Sequence, residues 1–417
     1  MTKHLLLVLA LSLVSAGNIK VTPTTLPPHT VSGFSAGASV AINHLVAFSN
    51  TCHGLGLIGG SPYGCNTVEN SQYSCSGYAI NPPNSHIENK TIPWQKWVNQ
   101  INKGYLSRRA SSNKVPLTSN LVNTPIYLFS GLDDVFVYQS VMKAVSYQFH
   151  QLGANVKTKF DLYAAHSWVV DKETCAAPGM QQSLNDCCGF KNASTNCPLP
   201  SDPQARAISL QGCCGICTNG DIDDRTITNR TTMTVGWKPP INSCNFDMSG
   251  EILKWMYEPK RIIHPRTTAA PASLHNLMKI NQTKYLPKGW SIKRALLDDI
   301  GFIYIPKQCQ MKKNGSNHHY NATKCELHVH YHPCGGGFQF LSVSYMLENA
   351  LPNYAESNNF VILYPQAKSG SDNPVGDGCF DWYGATDSNF DTKNGVQLSM
   401  VRNIIMDLAS TEGEAKK

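Results

Sequence analysis

Gly33-Phe34-Ser35-Ala36-Gly37 has the G-x-S-x-G pattern of a nucleophile elbow, in which a serine sits on a tight strand-to-helix turn with its Oγ exposed. Acyl transfer by such a serine needs a base to take its proton, an acid to orient that base and two amide donors for the developing oxyanion. The chain supplies an acid and then a histidine in that order. "YLFSGLDDVFV" places Asp133 and Asp134 just past an apolar run, and "KFDLYAAHSW" places His166 just past the next one. The adjacent aspartates point in different directions, so only one of them can orient His166. The amide of Ala36, directly after the serine and at a helix start, is one expected oxyanion donor. The second is expected from a glycine-rich loop that follows a strand, and "HYHPCGGG" at residues 330–337 fits.

Two other groups could do different chemistry. His328, His330 and His332 alternate along one strand and share a face, and H-x-H-x-H can bind zinc. No carboxylate or fourth ligand stands at suitable spacing, so the expectation is a polar strand face leading into the loop, without metal or cofactor. Cys214-Gly-Ile-Cys217 has zinc or redox spacing, but in a secreted chain it reads as part of a disulfide-stapled excursion.

The elements that must carry these residues follow from periodicity. "TVSGFSAG" reads as strand and turn, "ASVAINHLVAFS" as helix, and "TPIYLFSG" as a buried strand. "VYQSVMKAVSYQFHQLG" reads as a helix closed by Gly153, and "NVKTKFDLY" as another strand. Alternating strand and helix imply a parallel, helix-covered sheet. An elbow so close to the N-terminus leaves no room for the strands that precede it in an ordinary α/β-hydrolase. "GFIYIPKQC", "CELHVHYHPCGGG" and "NFVILYPQ", with the helical "LSVSYMLENALPNYAES" between the last two, supply those strands after the nucleophile. The expected fold class is therefore α/β: a circularly permuted α/β-hydrolase with a mostly parallel sheet, helices on both faces and a cysteine-rich insertion. Residues 18–417 read as one catalytic domain. Within it, 171–240 is the cysteine-rich insertion, 264–290 is linker-like, and 291–405 holds the permuted strands and the oxyanion loop.

"MTKHLLLVLALSLVSAGN" has the charge, apolar run and small residues of a signal peptide over 1–17, too short to span a bilayer as a mature helix. Sequons begin at Asn89, Asn192, Asn229, Asn281, Asn314 and Asn321, which suits a glycosylated secretory product. Fifteen cysteines in such a compartment are mostly paired, and the odd total leaves at least one without an intramolecular partner. A net charge of +7 is spread over a chain only 15% charged, with no basic run of the kind that binds nucleic acid.

Several longer blocks resemble the extracellular polyhydroxybutyrate depolymerases, in their circularly permuted single-domain form. They are "SGFSAGASVA", "GLIGGSPYGC", "FSGLDDVFV", "AAHSW", "CNFDMSGEILKWMY", "CELHVHYHPC", "YAESNNFVILYPQ" and "GCFDWYGATDSNF", in the family's own order over about three-quarters of the chain. The resemblance implies Ser35 as nucleophile, His166 as base and Asp134, rather than Asp133, as acid. It assigns the second oxyanion amide to Cys334 and places Phe380, Trp382 and Tyr383 at the substrate crevice. Three departures stand out. The family's H-G-C is here His332-Pro333-Cys334, two tryptophans of the aromatic block are replaced by Phe380 and Tyr383, and the cysteine-rich stretch is longer than usual.

The resulting expectation is a secreted serine esterase, outside the cell or in a digestive compartment, acting on a polyhydroxybutyrate-like polyester or its oligomers. The alternatives are an esterase on short-chain or plant-wall (feruloyl or acetyl) esters, and an inactive glycosylated binding protein on the same scaffold. No nucleic-acid partner is expected, and no membrane association after signal cleavage. A serine-directed phosphonate is expected to label the protein once, on the peptide containing Ser35. Mass mapping checks this, and label retained in a Ser35→Ala variant would identify another nucleophile.

Overall fold

The computed structural model describes residues 19–21, 25–68, 75, 94–132, 134, 136–162, 164, 166–171, 180–182, 217–219, 241–243, 246–258, 261–266, 272–311, 320–370, 373–376, 378–409 and 411–413. The segment 1–17 read as a signal peptide, Asp133, four of the sequons (Asn89, Asn192, Asn229 and Asn314) and most of the cysteine-rich stretch lie outside them.

Eight strands form the central sheet: β1 (His29–Phe34), β2 (Cys52–Ile58), β3 (Pro125–Phe129), β4 (Asn155–Lys159), β5 (Leu277–Asn281), β6 (Ile300–Tyr304), β7 (Glu326–Tyr331) and β8 (Phe360–Tyr364). Their spatial order is β5-β6-β8-β7-β1-β2-β3-β4, and only β6 runs against the others. The strands that come last in the chain thus complete the sheet on one side of the first. Pairing of β7 with β1 is parallel, with Val329 opposite Val31 and Tyr331 opposite Gly33.

Helices cover both faces, as buried strands on both sides require. One face packs α1 (Ala36–Ala47), α2 (Gln139–Gln151) and α5 (Val396–Leu408) around Val31, Leu55, Leu57 and Val329. The other packs α3 (Met248–Tyr257) and α4 (Leu351–Asn358) around Phe34, Tyr127, Phe129, Phe360 and Ile362. α1 is buried along its whole length, which explains a sequence apolar all round rather than striped. Its start is pressed onto β7: a Cβ on Gly37 would lie 2.4 Å from the carbonyl oxygens of Tyr331 and His332.

Two expectations are corrected. The stretch 264–290, read as linker-like, contains β5. Only Ile280 of this edge strand is buried, so alternation is invisible in the sequence. The stretch read as one helix over "LSVSYMLENALPNYAES" is broken by left-handed residues at Ser342 (φ 50°) and Ala350 (φ 65°), which divide it into short helices with Pro352 in the first turn of α4. Among the described cysteines, Cys65–Cys75, Cys309–Cys325 and Cys334–Cys379 are bonded, and Cys52 is a buried free thiol. No helix among the described residues is long and apolar enough to cross a membrane.

A buried polar seam runs between β1 and β7. Thr30 Oγ1 meets Tyr257 OH (2.6 Å) and His328 Nδ1 (2.8 Å), Ser32 Oγ bridges His328 Nε2 and His330 Nδ1 (2.7 Å each), and His330 Nε2 meets Tyr345 OH (3.0 Å). Burial pushes His328 down to about 3, so it is neutral in the fold, whereas an unfolded histidine titrates near its ordinary value of about 6.5. The unfolded chain therefore binds the extra proton first, and stability falls as pH drops from 6.5 toward the folded value. Between about pH 5.5 and 4, a His328→Gln variant is expected to lose stability less steeply than the parent by up to about 1.4 kcal/mol per pH unit, read by denaturant titration at several pH values. Parallel curves would remove His328 from the acid response.

Candidate active site

Ser35 follows the last residue of β1 with φ 58° and ψ −126°, a strained combination for a residue with a Cβ. The turn is fixed from both sides. The Ser35 N–H donates to the Ile58 carbonyl (2.8 Å), and the Ser35 carbonyl accepts from the amides of Ala38 (2.9 Å) and Ser39 (3.2 Å). β1 thus passes directly into α1, whose first amides, including that of Ala36, have no intrahelical acceptor. No side chain caps this helix start.

Asp134 is buried beyond the end of β3. Its Oδ1 accepts from the amides of Phe136 (3.0 Å) and Val137 (2.9 Å), which fixes the carboxylate plane. Its Oδ2 accepts from His166 Nδ1 at 2.8 Å, and His166 lies beyond the end of β4. That bond leaves Nε2 on the opposite side of the imidazole, the arrangement in which a histidine acts as base toward a hydroxyl. Phe34 (centroid distance 4.7 Å) and Phe136 (5.4 Å) flank the ring. Gly59, with φ 57°, makes room for it: a Cβ there would lie 2.9 Å from His166 Cε1 and 3.3 Å from Asp134 Oδ2. Sequence reasoning did not single out Gly59, although "IGG" at the end of a buried strand is a signal of close approach.

Cys334 is exposed, beyond the end of β7, and is bonded to Cys379 at the head of the aromatic block. Ser35, Gly59, Asp134, His166 and Cys334 therefore all follow the carboxyl ends of parallel strands, on one edge of the sheet, where open α/β sheets form their sites. The structure corrects one aromatic assignment. Phe380 is fully buried, against Tyr331 (5.3 Å) and His332 (4.6 Å), and presents no surface to a ligand. Its volume supports the loop from behind. Trp382 and Tyr383 are half-buried, edge to face at 4.9 Å. Asp381 shapes their turn: Oδ1 accepts from the amides of Gly384 (2.7 Å) and Ala385 (2.9 Å), and Oδ2 from that of Thr386 (2.8 Å).

The strand histidines are engaged by hydroxyls and backbone. His328 and His330 share the seam between β1 and β7, while His332 stands past the strand end with Nδ1 2.7 Å from the Pro333 carbonyl. A separate group, His29, His44 and Cys52, brings its ligand atoms within 4.8 Å of one another. Its imidazoles form a closed hydrogen-bond chain. The Pro27 carbonyl accepts from His29 Nδ1 (2.9 Å), which leaves His29 Nε2 to accept from His44 Nε2 (2.8 Å) and His44 Nδ1 to accept from Tyr331 OH (2.8 Å). Burial pushes the Cys52 thiol up to about 12, so it is protonated there. Two sequons are described, and both asparagines adopt the same turn. Asn281 accepts from the Thr283 amide (3.0 Å) and Asn321 from the Thr323 amide (3.1 Å).

No protein-family model matches the chain. It is 24% identical over 389 residues to a poly(3-hydroxybutyrate) depolymerase of Delftia acidovorans, covering 92% of this chain but only 60% of that relative. A polyhydroxybutyrate depolymerase of Talaromyces funiculosus is 24% identical over 419 residues, covering 95% of this chain and 96% of the relative. In fold, the chain is similar to the crystal structure of PHB depolymerase from Penicillium funiculosum, with a TM-score of 0.59 and 21% identity over 92% of this chain and 98% of that one. A serine-to-alanine PHB depolymerase complexed with R3HB trimer gives a TM-score of 0.58 at 20% identity over the same shares. The resemblance read from the motifs thus extends over nearly the whole chain and its fold.

The bond between Asp134 and His166 can be tested by mutation. Asp134→Asn is expected to lower kcat on an ester by about three to four orders of magnitude, because it leaves the imidazole in the wrong tautomer. Asp133→Asn should cost far less, and steady-state kinetics of both variants with matched circular dichroism would expose the reverse ranking.

Proposed function

We propose that this chain is a secreted serine esterase that hydrolyses ester bonds of polyhydroxybutyrate-like polyesters or their oligomers. The observation that carries the proposal is the 2.8 Å bond from His166 Nδ1 to Asp134 Oδ2 on the sheet edge that bears the strained Ser35 turn. Ser35 Oγ attacks the ester carbonyl while His166 Nε2 takes its proton. Asp134 holds the imidazole tautomer and stabilises the imidazolium that forms. The amides of Ala36 and Cys334 donate to the tetrahedral oxyanion, at a stage where each donor contributes about 10²–10³ in rate. His166 returns the proton to the leaving alkoxide. Water, activated by the same imidazole, then cleaves the acyl-enzyme and releases the hydroxy acid.

The sheet order supports the permuted reading, since strands contributed after the nucleophile in the chain lie beside β1 in space. The three disulfides among the described residues and the solvent-facing turn of Asn281 suit a secreted, glycosylated product. The names of the relatives, and the trimer complex of one of them, direct the substrate proposal toward polyhydroxybutyrate.

The direct test is clearing of a polyhydroxybutyrate suspension, run beside a feruloyl ester and a chromogenic short-chain ester. Clearing lost in Ser35→Ala supports the proposal. Turnover of the small esters without clearing moves the substrate to soluble esters, and no turnover at all leaves an inactive scaffold. Trp382 is the tryptophan retained in the aromatic block, and it is half-buried against the core edge. An aromatic contact worth on the order of 2 kcal/mol corresponds to about thirtyfold in binding. Trp382→Ala is therefore expected to depress hydrolysis of polymer or oligomer by about that factor while sparing short soluble esters. Equal losses on both, with a lowered melting temperature, would place Trp382 in the core instead.

A further inference from the structure

His332 is fully buried two residues before Cys334, and both its ring nitrogens are engaged. The Ala367 amide donates to His332 Nε2 at 3.1 Å. Nε2 is therefore the unprotonated nitrogen, and the single proton of the neutral ring sits on Nδ1. Nδ1 then donates to the Pro333 carbonyl at 2.7 Å. Burial pushes this imidazole down to about 4, so the tautomer persists through the neutral range.

The Pro333 carbonyl and the Cys334 N–H are the two ends of one peptide unit. The described chain contains no cis peptide, so they point in opposite directions from a rigid plane. Whatever holds the carbonyl therefore aims the N–H. We propose that His332 is a positioning residue that orients the Pro333–Cys334 peptide so that its N–H is presented to the oxyanion; this rests on the esterase reading above.

The surroundings leave that peptide little freedom. The Pro333 carbonyl also accepts from the Gly336 amide at 2.9 Å. The proline ring fixes φ one residue before the donor. Phe380 packs on the imidazole at 4.6 Å, and a Cβ on Gly337 would lie 3.0 Å from His332 Cε1, so the ring cannot swing away. Cys334 is tied by its disulfide to Cys379, whose carbonyl accepts from Asn373 Nδ2 at 2.9 Å. Two donors on the carbonyl also polarise the peptide and strengthen its N–H as a donor. Where the resembling family has glycine, this chain has proline, which lacks an N–H and restricts the backbone. The His332 clamp and the Pro333 ring then work together, one on each side of the same peptide.

The test compares His332→Asn with His332→Gln. Asparagine can place an amide N–H near the Nδ1 position and keep the bond to Pro333. Glutamine can accept near the Nε2 position from Ala367 but loses the bond to Pro333. On a short soluble ester, His332→Gln is expected to lose about 10²-fold in kcat with KM nearly unchanged, the scale of one misaimed oxyanion donor. A trifluoromethyl ketone, which forms a tetrahedral oxyanion on the serine, should bind more weakly by the factor lost in kcat/KM. His332→Asn should regain at least about tenfold of that loss. A role in packing alone would lower the melting temperature of both variants without this ranking. Asn and Gln variants of equal activity, or a fall in kcat with ketone affinity intact, would overturn the assignment while leaving the esterase reading in place. A parent protein that neither turns over the ester nor binds the ketone would overturn that reading and this assignment with it.

Should either variant fail to fold, the parent protein gives the answer. With ¹⁵N-histidine labelling, the Nδ1–H identified by its contact with the Phe380 ring should shift downfield when the ketone adduct forms, because the oxyanion pulls on the same peptide. An unmoved resonance would overturn the proposal.

Discussion

Everything at the site hangs on the pairing of β1 with β7. β1 carries Ser35 at its end and β7 leads to Cys334, yet the residues joined across the pair are up to 298 positions apart in the chain. Register matters here because a one-residue slip would turn every side chain to the other face. In the observed register, Thr30 and Ser32 meet His328 and His330 inside the sheet's covering. A one-residue slip would leave these buried hydroxyls and imidazoles unpaired, at a cost of about 1–3 kcal/mol each. The polar seam contributes little net stability when made and penalises the alternatives when not, so it acts chiefly on specificity.

The same logic explains why so many histidines can be buried without charge. Burial lowers His29, His44, His328, His330 and His332, and each has a hydroxyl, an imidazole, a carbonyl or an amide to complete its bonding. A neutral imidazole has one donor and one acceptor, which suits chains of single bonds such as Tyr331 to His44 to His29 to Pro27. Against that background His166 is distinguished by its partner. It faces a carboxylate that is itself held by two backbone amides.

Strain and support are also divided across the site. Ser35 occupies an unfavourable backbone region, and its turn is held by hydrogen bonds to β2 and to the first turn of α1. The close approach of Gly37 to β7, the glycine at 59 under the imidazole and the buried Phe380 behind the loop all keep the approach distances short. The disulfide from Cys334 to Cys379 makes the loop after β7 and the head of the aromatic block one covalent unit, although they come from separate loops. None of these supports is chemically active. Each removes a freedom that the groups would otherwise have to lose in the proposed reaction.

The sequence by itself determined the elements with strong periodicity and the residues whose chemistry is local: the elbow at Ser35, the strands ending before Asp134 and His166, and the strand leading into "HPCGGG". It also contained the strand-like blocks after position 300, and the sheet sets the strands they form beside β1. Edge strand β5 was not legible, since a strand with one buried residue has no alternation to read. Nor were the breaks at Ser342 and Ala350, where tertiary packing imposes backbone angles that local preference disfavours. Phe380 shows the limit most plainly: an aromatic residue in a substrate-like block reads the same whether it faces a crevice or the core. Only the tertiary structure could bury it against Tyr331 and His332, pair Cys334 with Cys379 and lay Asp134 against His166. Those are contacts between distant segments. They depend on how strands stack side by side, and no local pattern encodes that.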